Sequence, residues 1–299
     1  ELLGSYKKNN MKILKYFFEF LSIISLFLIF KIIGLIYASN LGSFIGKLIG
    51  PIFRSKSVIK KNLKIFKQNI SDEEIKLISN DMWSNIGRTF AEYVYLKKFN
   101  QDLNNNLIKI INLKYLSEIK KENKPVIFIS GHFANFELMA MKLNQFIKLA
   151  AIYRPLNNFL LNPIMEYLRI KYICPNQIKK GKSGLRQILQ NFNNGCSIAL
   201  MIDQRVSEGI SINFFNEPAL TTTIPAQLVL RYNCKVVPLS IKRINNINFE
   251  ITIEQPIEFN NLDNNTENIK KITLKLNQEL EKMIINNTSQ WIWTHNRWK

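Results

Sequence analysis

From Met11 the chain reads MKILKYFFEFLSIISLFLIFKIIGLIYASN, an apolar run broken only by the charges at Lys12, Lys15, Glu19 and Lys31. Tyr16 to Ala38 is about the length a helix needs to cross a hydrocarbon core. No small-residue cleavage site follows a shorter apolar run, which argues against a removable signal peptide. The pattern predicts a membrane-anchoring helix within residues 11–40, crossing or deeply inserted, with an interfacial helix or a buried core helix as alternatives. Residues 1–10 precede the first methionine and read as a possible upstream extension. Residues 41–299 read as the main domain.

Beyond the anchor the period changes. Ser71 with Glu74 three residues on forms a capping box, and Met82, Ile86, Phe90 and Val94 follow as one helical stripe. Arg88 and Glu92, four apart on it, suggest a local ion pair. KPVIFIS (124–130), KLAAIYRP (148–155) and CSIALMIDQR (196–205) are short continuous apolar runs, the signature of strands buried on both faces. Helical patterns lie between them at 134–146, 163–170 and 184–192. Alternation of this kind predicts an α/β fold, a mostly parallel central sheet flanked by helices. Residues 235–243 and 248–259 read as further strands, and 266–286 as an amphipathic helix packed on the sheet.

Charge and cysteine usage narrow the setting. The formal net charge is +19, from 41 Lys and Arg against 22 Asp and Glu. Part of that follows from a lysine-, isoleucine- and asparagine-rich composition, and the rest points to a polyanionic partner or an anionic membrane surface. The block RSKSVIKKNLKIFK (54–67), six basic residues without an acid, lies just after the anchor and favours the cytoplasmic side for the bulk of the chain. No basic-aromatic module for nucleic acid appears. Cys174, Cys196 and Cys234 have neither disulfide nor zinc spacing and suggest a reducing compartment. KGKSG (180–184) lacks the glycine a phosphate-binding Walker loop needs at position 176, which is Asn176. No cofactor or metal is expected.

The candidate chemistry sits at strand ends, where parallel sheets bind their ligands. His132 in SGHFANFE (130–137), Arg154 and Asp203 all fall at or just past such ends. A turn after the strand would let Glu137, at the start of the next helix, fix one ring nitrogen of His132 and leave the other as a base. The competing reading makes His132 a helix cap and Glu137 a solvated residue. Thr221–Thr223 before Pro225 read as a helix cap, His295 as structural, and the tail tryptophans (Trp291, Trp293, Trp298) as closing the core or meeting a membrane interface.

SGHFANFE, AIYRPLNN, LRIKY and MIDQRVSEGISINFFNEPALTTTIPAQLVLR occur in that order, with GRTFAEY (87–93) before them and QWIWTHNRWK (290–299) after. Together they resemble the late acyltransferases of lipid A biosynthesis over nearly the whole chain, about Met11 to Lys299. The resemblance implies an inner-membrane enzyme with its acyltransferase domain facing the cytoplasm. Acyl carrier protein would be the acyl donor, and a hydroxyl of a phosphorylated, often Kdo-bearing, lipid A precursor the acceptor. It also implies that His132 and Glu137 are catalytic. On that basis Arg169 would bind phosphate or the oxyanion with Arg154 as a helper, and Asp203 would hold Arg169 or a sugar hydroxyl. Other glycolipids or lysophospholipids remain alternative acceptors, and a non-catalytic binder of anionic lipid is the alternative outside enzymes.

Overall fold

The computed structural model describes residues 2–53, 56–260 and 262–299. Arg54, the first cation of the basic block, and Glu1 of the N-terminal extension lie outside the described residues.

The apolar N-terminal run is two helices, not one. Helix α1 (Leu2–Ile33) ends at Gly34, whose φ of 85° is a left-handed conformation that costs glycine little, and α2 (Leu35–Phe53) begins on the next residue. Met11–Ile33, 23 residues with a mean hydropathy of 2.1, is long and apolar enough to cross a bilayer, and little of it is buried beyond Phe27 and Phe30. Leu35 to Ala38, expected in the same span, instead belong to α2, where Leu35 and Ala38 are buried.

Helix α2 lies along α4 (Asp72–Glu92), with α3 (Lys56–Phe66) between them in sequence. The approach is close because small residues face each other: a Cβ on Gly87 would stand 2.0 Å from the carbonyl oxygen of Gly42. Both bonds of the expected capping box form, Glu74 N–H to Ser71 Oγ at 3.1 Å and Ser71 N–H to Glu74 Oε2 at 3.2 Å. The expected Arg88–Glu92 pair does not. Arg88 donates to Ser39 and Asn40 on α2, while Glu92 is buried against Arg243.

After α5 (Leu96–Asn100) come β1 (Ile108–Ile111), α6 (Leu113–Glu122), β2 (Ile127–Ser130), α7 (Glu137–Asn144), β3 (Leu149–Tyr153), α8 (Asn162–Tyr172), β4 (Asn176–Lys179), α9 (Lys182–Asn193) and β5 (Ser197–Met201). A hairpin, β6 (Ile210–Phe214) and β7 (Glu217–Thr221), precedes α10 (Ile224–Tyr232), β8 (Val236–Asn245), β9 (Asn248–Ile253) and α11 (Thr266–Asn286). The sheet runs β1-β9-β8-β2-β5-β3-β4, parallel at every junction except β8–β9. This is the mostly parallel α/β sheet that the sequence predicts. Strands β1 and β4 were not expected; each is an edge strand, and NQIK in β4 carries no continuous apolar run to mark it.

The C-terminal tail closes the core. Trp291 and Trp293 are fully buried with rings 4.6 Å apart, and Trp298 stacks on Phe214 at 5.4 Å.

Candidate active site

Strands β2 and β5 are neighbours with Ser130 opposite Met201. Two residues further along each strand, His132 and Asp203 therefore stand level. His132 Nδ1 lies 2.8 Å from Asp203 Oδ1, and the His132 backbone N–H donates to Asp203 Oδ2 at 2.8 Å. A carboxylate only accepts, so Nδ1 carries the proton. Trp291 Nε1 donates to the same Oδ2 at 2.9 Å, which fixes the carboxylate from the tail.

The segment between β2 and α7 is held from outside. Ala134 adopts a left-handed φ of 42°; its carbonyl accepts from Asn85 and Thr89 on α4, and its N–H donates to Gln290 O. Gly131 stands close to Phe133, Leu280 and Asp203 Oδ2, which leaves little room for a side chain there. The His132 ring meets Phe136 edge-on at 4.7 Å. Its Nε2 makes no hydrogen bond among the described residues, and the side chain keeps 18% of its surface open.

Glu137 does not orient His132, as the sequence reading expected. It accepts through Oε1 from Arg169 Nε at 3.0 Å, from Arg169 Nη2 at 2.6 Å, and from Tyr93 OH. Arg169 Nη2 also reaches Tyr93 OH at 3.0 Å, and the guanidinium lies over the Tyr153 ring at 5.5 Å. Glu137 does stand at the start of α7, as expected, but the physical reason lies in its partners, since Arg169 and Tyr93 occupy its carboxylate. The carboxylate leaves the first helical turn toward Arg169 on α8 and Tyr93 just after α4, while the β2–β5 register brings Asp203 to the imidazole. Asp203 likewise holds His132 rather than Arg169.

Electrostatics follow from the pairing. Burial penalises the imidazolium, yet the charge and hydrogen bond of Asp203, with a further contribution from Glu137, raise the His132 pKa above its ordinary value. Burial would raise Asp203, but His132 and the donors around it hold it down at about 2. Burial and Glu137 push the Tyr93 hydroxyl well up. Burial opposes the Arg169 charge, and Glu137 and Tyr93 more than offset it.

Arg154 is exposed just beyond β3 and makes no hydrogen bond to Glu137 or Arg169 among the described residues. His295 Nε2 accepts from the Arg205 backbone N–H at 2.9 Å, which gives it a structural contact. Thr221 Oγ1 is engaged by Arg297 and Asn277, and Pro225 stands in the first turn of α10 with Thr223 at its cap. Tyr93 and Trp291 were not singled out as site residues, although both lie in the stretches that carried the resemblance. Open grooves among the described residues lie elsewhere. One, of about 830 Å³, lies between α3 and the β6–β7 hairpin. The other, of about 390 Å³, is lined by Ile13, Leu14, Phe17, Phe159 and Leu160. Neither has His132 in its wall.

The model of the family described as bacterial lipid A biosynthesis acyltransferase matches residues 5–299. The chain belongs to that family. A lipid A biosynthesis acyltransferase of Haemophilus influenzae is 22% identical over 251 residues, covering 82% of this chain and 78% of the relative. A lipid A biosynthesis palmitoleoyltransferase of Escherichia coli is 23% identical over 265 residues, covering 87% and 84%. The crystal structure of the 1-acyl-sn-glycerophosphate acyltransferase PlsC from Thermotoga maritima is 12% identical with a TM-score of 0.41, covering 85% of this chain and 98% of that one.

Proposed function

We propose that this acyltransferase moves a fatty acyl chain from acyl carrier protein to a hydroxyl of a phosphorylated lipid A precursor, with His132 as general base. The observation that carries the reading is the Asp203–His132 pair, 2.8 Å apart, with Nε2 open on the far side of the ring. The acceptor hydroxyl donates to Nε2 and attacks the thioester carbonyl; Nε2 takes the proton as the oxygen–carbon bond forms. Collapse of the tetrahedral intermediate expels the thiolate, which recovers that proton from the imidazolium. Asp203 holds the tautomer and stabilises the charged ring, as the carboxylate does in a Ser-His-Asp triad, with the substrate hydroxyl in the place of the serine.

Arg169 uses Nε and Nη2 on Glu137 and Tyr93. Its Nη1 makes no hydrogen bond among the described residues and is the donor we assign to the developing oxyanion or an acceptor phosphate. Glu137 acts by holding Arg169 and by its charge on His132.

The apolar Met11–Ile33 segment supports seating in the inner membrane, and the basic block at 54–67 supports a site on the cytoplasmic face, where the donor is found. Incubation of the protein in detergent with acyl carrier protein thioester and the lipid A precursor should yield a lipid heavier by one acyl group. His132→Ala that transfers at the parent rate overturns the mechanism. Product formed only from lysophospholipids overturns the acceptor.

A further inference from the structure

Strands β3 and β4 are parallel neighbours with Tyr153 opposite Lys179. The next residue on each is a cation, Arg154 and Lys180. They stand side by side at the carboxyl rim of the sheet, about one strand spacing apart, roughly 4.8 Å. The Lys180 backbone N–H donates to Tyr153 O at 2.8 Å, which ties the two strand ends together just where the cations emerge.

Both side chains are exposed, and among the described residues neither has a hydrogen bond or an ion pair. The nearby Glu166 carboxylate is already used, since it binds Lys179 at 2.9 Å. An exposed lysine is ordinary on a chain of charge +19. These two differ by position, because the same rim carries His132 at the end of β2 and Asp203 at the end of β5, with sheet order β2-β5-β3-β4. The Lys180 ammonium acts against protonation of His132, so its field reaches the reacting group. Two adjacent positive groups without counter-ions, at the ligand-binding edge of a parallel sheet, suit a phosphate.

The chain beyond Arg154 indicates which molecule carries that phosphate. Residues 155–161 run directly onto α1: Asn158 Nδ2 donates to Tyr16 O at 2.9 Å and to Glu19 at 3.2 Å, and Phe159 meets the Tyr16 ring. Phe159 and Leu160 form the apolar groove of about 390 Å³ with Ile13, Leu14 and Phe17 of α1. A cationic pair at one end of this loop and a hydrocarbon-lined groove further along it match a molecule that is phosphorylated at one end and aliphatic at the other.

We propose that Arg154 and Lys180 form a headgroup subsite that binds a phosphate of the lipid acceptor, while an acyl chain of that lipid lies in the groove between α1 and the 155–161 loop. The assignment rests on the acyltransferase reading of the His132 site. It makes the pair specificity-determining, since neither residue touches the reacting atoms.

The experiment uses the full chain in detergent micelles and measures both binding and turnover of a bis-phosphorylated disaccharide lipid and its phosphatase-treated form. With Arg154→Ala/Lys180→Ala, binding of the phosphorylated lipid should weaken about tenfold or more, the scale of charge-assisted hydrogen bonds. KM should rise in step, kcat measured on the alkaline plateau where His132 is neutral should stay within about twofold, and the dephosphorylated lipid should bind parent and variant alike. Arg154→Lys/Lys180→Arg should restore most of the affinity. The donor also contains a phosphate, in its phosphopantetheine arm. A rise confined to the donor KM would assign the pair to that arm and overturn the acceptor subsite. Equal losses with both lipids, or parental binding without any phosphate preference, would overturn it too. A parent that binds the phosphorylated lipid selectively yet never acylates it would fail the functional reading and leave the subsite standing.

Discussion

His132 and Asp203 stand level at the carboxyl ends of adjacent parallel strands, and Asp203 takes both the ring Nδ1–H and the backbone N–H of the same histidine. The imidazole is thereby fixed in tautomer and in position by one buried carboxylate. Asp203→Asn keeps the shape but lets the ring choose the wrong tautomer, and kcat should fall by about 10²–10⁴-fold. Transfer needs neutral His132, whose pKa is raised in the parent, so the rate should climb with pH through a midpoint above the ordinary imidazole value. Without the Asp203 charge, burial dominates and that midpoint should move to lower pH. A pH–rate profile of the two proteins is the check; an unmoved acidic limb would remove Asp203 from the mechanism.

The same pair makes stability depend on pH with a definite sign. Asp203 is depressed to about 2, so its contribution is full above the ordinary carboxylate value and is lost as pH falls toward 2. His132 is raised, so its contribution is full below the ordinary imidazole value and fades as pH rises through the folded value. Denaturant melts across pH should show Asp203→Asn losing most stability, relative to the parent, between those limits and converging with it toward pH 2.

Glu137 and Asp203 exchange the roles that spacing suggests, and their variants should separate them. Glu137 raises His132 only by its charge, whereas Asp203 also hydrogen-bonds it. Glu137→Gln should therefore shift the acidic limb in the same direction as Asp203→Asn but less far. It should also cost about 3 kcal/mol of stability or more, because Arg169 is left partly buried without a counter-charge. Tyr93→Phe removes one donor and keeps the ion pair, so a loss of about 1.5 kcal/mol is expected. A larger shift in the limb for Glu137→Gln than for Asp203→Asn would restore the pairing that the sequence first suggests.

These contrasts show what was legible in the chain. Continuous apolar runs located β2, β3, β5 and β8, because strands buried on both faces need such runs, and strand ends then located His132, Arg154 and Asp203. Which carboxylate meets the histidine was not legible. That depends on the β2–β5 register and on the course of the 131–136 turn, which Asn85, Thr89 and Gln290, distant in sequence, hold at the Ala134 backbone. Edge strand β4 escaped for a related reason, since NQIK shows how little apolar sequence an edge needs. The Arg88–Glu92 spacing fits a helical ion pair, but a buried Arg243 outbids a half-exposed Arg88 for the same carboxylate.

The seam between α2 and α4 should tolerate almost no added volume. Gly87 and Gly42 approach so closely that a single methyl on Gly87 would meet the Gly42 carbonyl at 2.0 Å, with backbone rather than a movable side chain in the way. Gly87→Ala should therefore cost about 2 kcal/mol or more despite the better helix propensity of alanine, worth about 1 kcal/mol. Thermal unfolding in detergent is the measurement, and a stabilised Gly87→Ala protein would show that the helices separate freely.

Behind the reaction site, Glu92 accepts from Arg243 Nη1 and Nη2, from Ser39 Oγ at 2.9 Å and from Asn135 Nδ2 at 2.9 Å, so α2, α4, β8 and the 131–136 turn converge on one fully buried carboxylate. A buried ion pair of this kind adds little net stability over a well-packed apolar pair, because both charges have been stripped of water. Breaking it on one side is another matter. Arg243→Met should cost about 3–5 kcal/mol, since a fully buried carboxylate would lose its cation. Arg243→Met combined with Glu92→Gln should cost less than the single Arg243→Met change, a non-additivity expected of residues that share one bond network. Because Asn135 donates to Glu92 from the same turn as His132, the single variant should also lose transfer activity at temperatures where it remains folded, and the double variant should regain part of it. Urea unfolding and acyl transfer measured on the same preparations decide the matter. An Arg243→Met protein with parental stability would mean that Glu92 reaches water, and the network would then have no part in holding the histidine turn.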